Sequence, residues 1–323
     1  MSKYLSIFLC LAFSTFQTYG QKSYLDYHNE VIKCEKLIVE QNFRQTINVF
    51  DSLFNQFDFV FLRDLKLATE ISAFEQDENA AFRFLRRGIV QGWTWKSIKK
   101  NERLDILHQY SEWSNVETEY DSLHLRYLSK LNKPLRIKAQ ELYKKDQKMA
   151  LKALFRIGEK SQTKYAEKKF APHSEEQLEH LNQILVEQGY PGEQLIGNSW
   201  WVSVILSHHN SISKEYNQND TLYLNIRPRL IRAIEKGELH PYEFATIEDW
   251  RTAAMNNHDS TSYGFLGKMK NELMLEKANL NRNDIGLRSI ALRNDLIEIE
   301  KTTGLNLYLP KGWQNGKITV ADK

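Results

Sequence analysis

The sequence predicts a mainly α-helical protein, on three observations. Its 323 residues include only 14 Gly and 6 Pro, so few positions would break a helix. Long stretches lack both residues and are rich in Leu, Glu, Lys and Gln, which favour helix over sheet. In several stretches apolar side chains recur every three or four residues, a spacing that is typical of helices with one buried face. The chain is long enough for two domains.

The first twenty residues predict a signal peptide. Lys3 supplies a positive start, the stretch from Tyr4 to Phe16 is apolar, and Gly20 is small enough for a cleavage pocket. The apolar run is too short for a membrane span. Cys10 lacks the small preceding residue that a lipoprotein cleavage site needs. We therefore expect cleavage after Gly20 and export to the periplasm or beyond, with no membrane span.

Only Cys34 remains after this cleavage, so no intrachain disulfide can form. Two interpretations of its thiol stay open. The thiol is either buried in a helix, where Cys packs as a small apolar residue, or it is a nucleophile. A nucleophile needs a nearby base, and the nearest histidine in the sequence, His28, has no evident partner.

Two successive helical pairs are predicted near the start of the mature chain. The pairs are 27–41 with 43–57 and 61–76 with 78–92. Their second helices share three apolar positions at an offset of 35 residues, which are Ile47, Phe50 and Phe54 in one pair and Phe82, Leu85 and Ile89 in the other. This period, with one apolar stripe per helix, resembles tetratricopeptide repeats. Residues 24–130 are therefore expected either to dock a protein or peptide partner or to support the second half.

A boundary is expected near residues 131–140, where Pro134 interrupts the helical pattern. The stretch 138–169 then holds ten Lys or Arg against four Asp or Glu. Because the acidic residues are interspersed and no aromatic spacing accompanies the charge, one helix with a solvated basic face is favoured over a polyanion site. The formal net charge of the chain is only +3. No nucleic-acid partner is expected.

Residues 138–310 are predicted to form a compact helical domain with motif-like loops. Its predicted helices include 174–188, 199–210, 221–237 and 241–255, and 258–267 is a predicted loop. In helix 199–210, the side chains of Trp201, Ile205 and His208 lie on one face. We therefore expect His208 to extend the apolar face and His209 to point aside.

Several short motifs follow one another in this second half. They are KKDQKM (144–149), GYP (189–191), SHHN (207–210), KGELHP (236–241), EDW (248–250), YGFL (263–266) and TTGLNLYLP (302–310). Their order and spacing over about residues 140–310 resemble a family of uncharacterised bacterial proteins with a domain of unknown function. That family shows Gly-Trp-Pro, Gln-His-Ala-Asp and Tyr-Gly-Thr-Gln motifs. The resemblance implies where a polar site lies, but it implies no activity.

The chain departs from these motifs at several polar positions. Ser207 and Asn210 replace the Gln and Asp around the histidine, Trp250 replaces an Arg, and Phe265 and Leu266 replace Thr and Gln. The polar residues that remain are His208, Asp249 and Tyr263. The departures leave open whether an activity has been lost or altered.

His208, Asp249 and Tyr263 are the candidate catalytic residues. Histidine changes charge near neutral pH and can act as a general base. Asp249 would fix its tautomer by accepting a ring N–H, and Tyr263 would donate its hydroxyl to a substrate oxygen. The candidate ligand-binding residues come from the same segments and are Trp201, Asn210, Glu248 and Gly264.

Other interpretations of this histidine compete with catalysis. His208 could end the helix within a structural hydrogen-bond network, since buried polar groups must be paired. A metal site could use His208, His209, His240 and His258, but no two of them have the spacing of a known zinc site. No metal and no cofactor is expected. The leading expectation is an exported interaction or ligand-binding module, and the alternative is a hydrolase-like enzyme at His208 and Asp249.

Overall fold

A computed structural model describes residues 23–310 and 316–321. These residues form sixteen α-helices and no strand, which confirms the predicted mainly α-helical fold. The predicted signal peptide, residues 1–20, lies outside the described residues. Within them, no helix combines the length and the apolar character that a membrane span requires.

The first four helices form the two pairs that the sequence predicts. They are α1 (Tyr24–Val39), α2 (Phe43–Phe54), α3 (Leu62–Phe74) and α4 (Glu78–Val90). The helices of each pair pack against each other, and α2 also packs against α3. All six apolar positions that recur at an offset of 35 residues are buried, so the periodicity located the buried face of each second helix correctly.

The turn inside each pair has the same backbone. Gln41 and Gln76 take left-handed φ angles of 56° and 57°. Each is followed by the N-cap of the next helix, Asn42 or Asp77. Left-handed backbone is uncommon for residues other than glycine. Its recurrence at equivalent positions therefore supports the interpretation of the two pairs as copies of one structural unit.

The first half ends with α5 (Trp95–Lys99), a 3₁₀ helix (Glu102–Gln109) and α6 (Glu112–Lys130). Helix α6 packs against α4. The chain then breaks, and α7 (Lys133–Leu154) begins with Asn132 as its N-cap and Pro134 in its first turn. Proline is tolerated there because the first N–H groups of a helix have no intrahelical acceptor. The break lies at residues 131–132, so Pro134 begins a helix and does not interrupt one; the domain boundary expected near residues 131–140 stays a prediction.

The basic stretch 138–169 is not a single helix, so that prediction is wrong. After α7, Gly158 takes a φ of +82°, and α8 (Glu159–Tyr165) continues into a π-helical turn (Ala166–Phe170). A right-handed helix cannot pass through this backbone conformation, which glycine adopts easily. All ten Lys and Arg side chains of the stretch are exposed, as a solvated basic face requires.

Eight further helices build the second half. They are α9 (Ala171–Glu187), α10 (Glu193–Ile196), α11 (Trp201–Asn210), α12 (Lys214–Asn219), α13 (Leu222–Glu235), α14 (Pro241–Met255), α15 (Glu272–Asp284) and α16 (Ile290–Thr303). Helix α11 is central, because it packs against α7, α9 and α14. It corresponds to the helix predicted at 199–210.

The end of the chain completes the hydrophobic core of the first half. Helix α16 packs against α1. Leu296 and Leu307 lie in the same buried cluster as Phe50 and Phe61. Because one core includes residues from both ends of the chain, the first half does not close around its own side chains alone.

Cys34 lies in α1 and is fully buried. Burial raises the pKa of its thiol, and the nearby charge of Glu35 raises it further. A thiol in these surroundings stays protonated and out of reach of solvent, which corresponds to the buried interpretation.

Candidate functional site

A cavity of about 620 Å³, here called the central cleft, lies between the two halves. Helix α3 and the turn after α4 line one side, with Lys66 and Trp93. Residues 193–200 and the start of α14 line another, and residues 306–310 complete the lining. Cavities of 300–1,000 Å³ that combine aromatic surface with a few polar groups are the usual sites of small ligands.

Hydrogen bonds hold the segment 193–200 against the first half. The side-chain amide of Asn198 donates to the carbonyl oxygen of Gln91 at 2.9 Å, and its backbone N–H donates to the hydroxyl of Tyr127 at 3.3 Å. Gly92 lies in this contact with a φ of +92°, and a Cβ there would come 2.6 Å from Cζ of Tyr127. Only glycine satisfies both the backbone and the close approach.

Glu193 connects the two halves inside the cleft. Its Oε1 accepts a hydrogen bond at 2.7 Å from the backbone N–H of Leu62, the first residue of α3. The N-cap residue, Phe61, has no side chain that could accept this bond, so Glu193 caps α3 from the other half. The pKa of Glu193 is raised to about 8. Burial is the main cause and the charge of Glu243 adds to it, whereas the hydrogen bond from Leu62 acts in the opposite direction.

Glu243 lies in the first turn of α14 and lines the same cleft. Its Oε2 accepts a hydrogen bond from the hydroxyl of Tyr190 at 3.5 Å. Burial raises the pKa of Glu243 to about 7, against the lowering effect of hydrogen bonds from Ser203 and Tyr190. In the cleft, burial therefore raises the pKa of two carboxyl groups toward neutral pH.

Lys66 brings a positive charge from α3 to the cleft. Its Nζ lies 5.5 Å from the ring centroid of Trp93 and 5.7 Å from that of Tyr308, within cation–π range. Burial lowers the pKa of Lys66, and the charges of Glu193 and Glu70 raise it. In the described part of the chain, no carboxylate oxygen comes within ion-pair distance of this ammonium group.

His240 adds an uncharged imidazole to the lining. As the N-cap of α14, its Nδ1 accepts a hydrogen bond from the N–H of Tyr242 at 3.1 Å, which assigns the proton to Nε2. Burial lowers the pKa of His240 to about 3, and the charges of Arg63 and Arg288 lower it further. The ring is therefore a neutral hydrogen-bonding group at physiological pH.

The histidine predicted to act as a base is paired with a different carboxylate. Nδ1 of His208 lies 2.6 Å from Oδ2 of Asp146, a fully buried residue of α7. The expected contact between His208 and Asp249 is not formed. His208 lines a cavity of about 310 Å³, here called the histidine pocket, whose other walls include Phe170 and Ile212.

The carboxylate of Asp249 is hydrogen-bonded by the loop that was expected to face the substrate. Its two carboxylate oxygens accept five hydrogen bonds, which come from the hydroxyl of Thr261 and from the backbone N–H groups of Ser262, Tyr263, Phe265 and Leu266. A buried carboxylate with five donors has no lone pair left for an imidazole. This residue therefore shapes the loop, which explains why it cannot orient His208.

Tyr263 is buried, and its ring packs against Phe244 with 6.2 Å between the centroids. It lines neither the central cleft nor the histidine pocket. Burial raises the pKa of its hydroxyl, as does the charge of Glu248. The structure therefore does not bring His208, Asp249 and Tyr263 together around one cavity.

The four candidate ligand-binding residues are dispersed. Trp201 stacks on Tyr143 at 6.3 Å between the ring centroids. The side chain of Asn210 is buried and donates to the carbonyl oxygen of Ile247 at 3.0 Å. Glu248 accepts hydrogen bonds from Tyr223 and Arg227. Gly264 donates its N–H to the hydroxyl of Thr261 at 2.7 Å. None of the four lines either cavity.

His208 was expected to extend the apolar face of its helix and His209 to point aside, but their burial is the reverse. His209 is fully buried, whereas the side chain of His208 is 30% exposed. Neighbouring residues of a helix differ in direction by about 100°, and α11 is covered on several sides. Nδ1 of His209 lies 2.9 Å from the hydroxyl of Ser174 in α9. Across the described residues, no three His, Cys, Asp or Glu side chains are placed to hold a metal ion.

Comparison with known proteins identified no relative of this chain. Family models, curated proteins and solved structures all gave no significant match to this chain.

The sequence patterns did not single out the three ionisable side chains Lys66, Glu193 and Glu243 of the cleft, and each omission has a physical reason. Glu243 lies in the first turn of a helix, where an acidic residue is common because it complements the helix dipole. Glu193 lies in a four-residue helix that is too short to show a period. Only Lys66, of these three, stands out in the sequence. It lies between Leu65 and Leu67 in a helix that is buried on most sides, where a charged side chain is unusual.

Proposed function

We propose that the protein is an exported ligand-binding protein and that the central cleft is its binding site. The observation that carries the proposal is the presence of Lys66, Glu193 and Glu243 around one cavity without ion-pair partners among the described residues. The three residues are half-buried, and holding ionisable groups partly away from water without a charged partner is unfavourable for folding. Such groups are therefore typical of sites whose partner is a ligand.

The aromatic surface of the cleft supports the same proposal. Trp93 is buried, whereas Trp200 is 55% exposed at the cleft and contacts Tyr242 with 5.6 Å between the ring centroids. Large exposed aromatic rings beside polar groups are typical of binding sites, because they supply apolar contact area at little entropic cost. The predicted protein or peptide partner of the helical pairs stays a separate prediction.

Thermal unfolding in the presence of small polar metabolites tests the proposal. A ligand at 100 times its Kd stabilises the folded state by about 2.7 kcal/mol, which raises Tm by about 5 °C for a protein of this size. We expect at least one amino acid, peptide or sugar of a standard library to produce such a shift. The variant Ser97→Trp, which places a large ring at an exposed lining position of the cleft, should remove the shift. It should lower the Tm of the free protein only slightly, because the hydroxyl of Ser97 accepts one long hydrogen bond, from Nε1 of Trp93 at 3.4 Å.

Two outcomes contradict the proposal. One is a library in which no compound raises Tm. The other is a compound that raises Tm equally in the wild-type protein and in Ser97→Trp, since its site then lies elsewhere.

A hydrolase-like activity at His208 is the second candidate function, favoured by the 2.6 Å contact with Asp146. The buried carboxylate holds Nδ1, and Nε2 is then the nitrogen that would take a proton from water in the histidine pocket. We expect hydrolysis of p-nitrophenyl acetate to fall about 100-fold in both His208→Ala and Asp146→Asn. His180→Ala, an exposed histidine outside the pocket, is the matched control. Equal rates in all four proteins contradict this candidate.

A further inference from the structure

We infer that the ligand of the central cleft is a zwitterion of dipeptide size, whose carboxylate pairs with Lys66 and whose ammonium group pairs with Glu193 and Glu243. The inference rests on the proposed function, which it makes specific. It follows from the arrangement of charge, aromatic surface and volume in the cleft.

The cationic end of the cleft is built around Lys66. Two aromatic rings, Trp93 and Tyr308, lie within 6 Å of its ammonium group. Tyr308 is fixed in place because its hydroxyl donates to Glu70. An aromatic setting restricts the ammonium group without neutralising it, so an anionic group of the ligand gains a full charge-assisted hydrogen bond.

The carboxyl groups of the cleft lie on other elements than Lys66. Glu193 of α10 accepts the N–H of Leu62, one helical turn before Lys66 on α3, and Glu243 lies in the first turn of α14, where it accepts from the hydroxyl of Tyr190. A line across the cleft from α3 to α14 therefore begins at a positive charge and ends at carboxyl groups. A ligand that lies along this line meets Lys66 first and the carboxyl groups next.

Ligands with only one kind of charge fit this line poorly. A simple amine would satisfy the two carboxyl groups but would leave its positive charge near Lys66. A simple carboxylic acid would satisfy Lys66 but would bring no cation to Glu193 and Glu243. An uncharged sugar would leave the ammonium group of Lys66 without a charged partner in a site that is partly closed to water. A zwitterion satisfies both ends.

The volume and the walls of the cleft indicate a dipeptide instead of a single amino acid. About 620 Å³ is within the range of cavities that hold drug-sized ligands, well beyond the needs of free alanine. The rings of Trp200 and Tyr242, which line the cleft, offer apolar area for a side chain.

Calorimetric titration with L-alanyl-L-leucine, its N-acetyl derivative and its C-terminal amide tests the inference. We expect the free dipeptide to bind the wild-type protein at least tenfold more tightly than either blocked form, because each block removes one charge-assisted contact. In Lys66→Met, the free dipeptide and its amide should bind equally. In Glu193→Gln and Glu243→Gln, the advantage of the free amine over the N-acetyl form should shrink or vanish.

Each comparison is between the affinities of free and blocked dipeptide for the same variant. A variant that is less stable but still folded therefore still shows whether the contact to the ligand is made. Glu193→Gln keeps an oxygen that can accept the N–H of Leu62. Lys99→Met is the matched control, because its ammonium group lies 5.9 Å from the centroid of Trp95 but does not line the cleft. It should behave as the wild-type protein does.

Protonation supplies an independent readout. Ionising the two carboxyl groups against a bound ammonium group releases protons near pH 7, so the binding heat should depend on the ionisation enthalpy of the buffer. This dependence should be smaller in Glu193→Gln.

The outcomes separate the inference from the proposed function. Equal binding of the free and blocked peptides, or tight binding of an uncharged disaccharide in place of the dipeptide, overturns the zwitterion and leaves the cleft as a binding site. A cleft that binds no compound of any class overturns both.

Discussion

Replacing Glu35 with Leu is expected to lower the free energy of unfolding by about 3–5 kcal/mol. Glu35 lies in α1 and is 1% exposed. Its Oε2 accepts from Nε of Arg288 at 2.6 Å, and its Oε1 accepts from Arg63 at 2.9 Å. The variant leaves the guanidinium group of Arg288 buried without a carboxylate, whereas Arg63 keeps Asp64 as an ion-pair partner at 2.8 Å.

Urea denaturation of three variants measures this effect. Glu30→Gln, which removes the exposed ion pair with Lys33 on the same helix, should change the free energy of unfolding by less than about 1 kcal/mol. The double variant Glu35→Leu with Arg288→Met should recover most of the loss, because no unpaired charge then remains buried. If the double variant is as unstable as the single one, the loss comes from packing and not from an unpaired charge.

The pH dependence of this contact has a defined sign. Burial alone would raise the pKa of Glu35, but the charges of Arg288 and Arg63 outweigh it and lower the pKa below its usual value. The stabilisation is therefore present above the pKa of the unfolded chain and is lost as the pH falls through the lower pKa of the folded protein.

The periodic parts of the fold could be predicted from the sequence. The helical pairs were visible because their buried positions repeat with the period of the helix and again at an offset of 35 residues. Helix α11 was visible as an apolar run that ends in polar residues. Both features depend on residues that are close in the sequence, and such local periodicity can be recognised from a single sequence.

The central cleft could not be predicted, because its groups come from distant segments. Four separate segments supply these groups, and the segments have no sequence pattern in common. The groups are Lys66, Glu193, Glu243 and Tyr308. Their approach depends on contacts between distant segments, namely the hydrogen bonds from residues 193–200 to the first half and the packing of α16 against α1. No residue-level signal encodes those long-range contacts.

The predicted residues of the second half illustrate the same limit. His208 does have a carboxylate partner, as a general base would need, but the partner is Asp146 of α7 and not Asp249. Both carboxylates were present in the motifs, at 144–149 and 248–250. Spacing alone could not decide between them, because each distance is set by helix packing.

The two carboxyl groups of the central cleft are expected to titrate far from the usual glutamate range. Burial raises the pKa of Glu193 to about 8 and that of Glu243 to about 7, against a usual value of 4.5. Both groups hold a proton more tightly in the folded protein than in the unfolded chain. Their contribution to stability is therefore largest below pH 4.5 and is lost as the pH rises toward 8.

Carbon-13 NMR titration of the side-chain carboxyl groups, in protein labelled at glutamate, measures directly how far the cleft shields these two groups from water. Signals are assigned with Glu193→Gln and Glu243→Gln. We expect midpoints near pH 8 for Glu193 and near pH 7 for Glu243, with the first midpoint lowered in Glu243→Gln, where the neighbouring charge is gone. Midpoints near 4.5 for both groups would show that Glu193 and Glu243 are solvated surface carboxylates and that the cleft does not shield them.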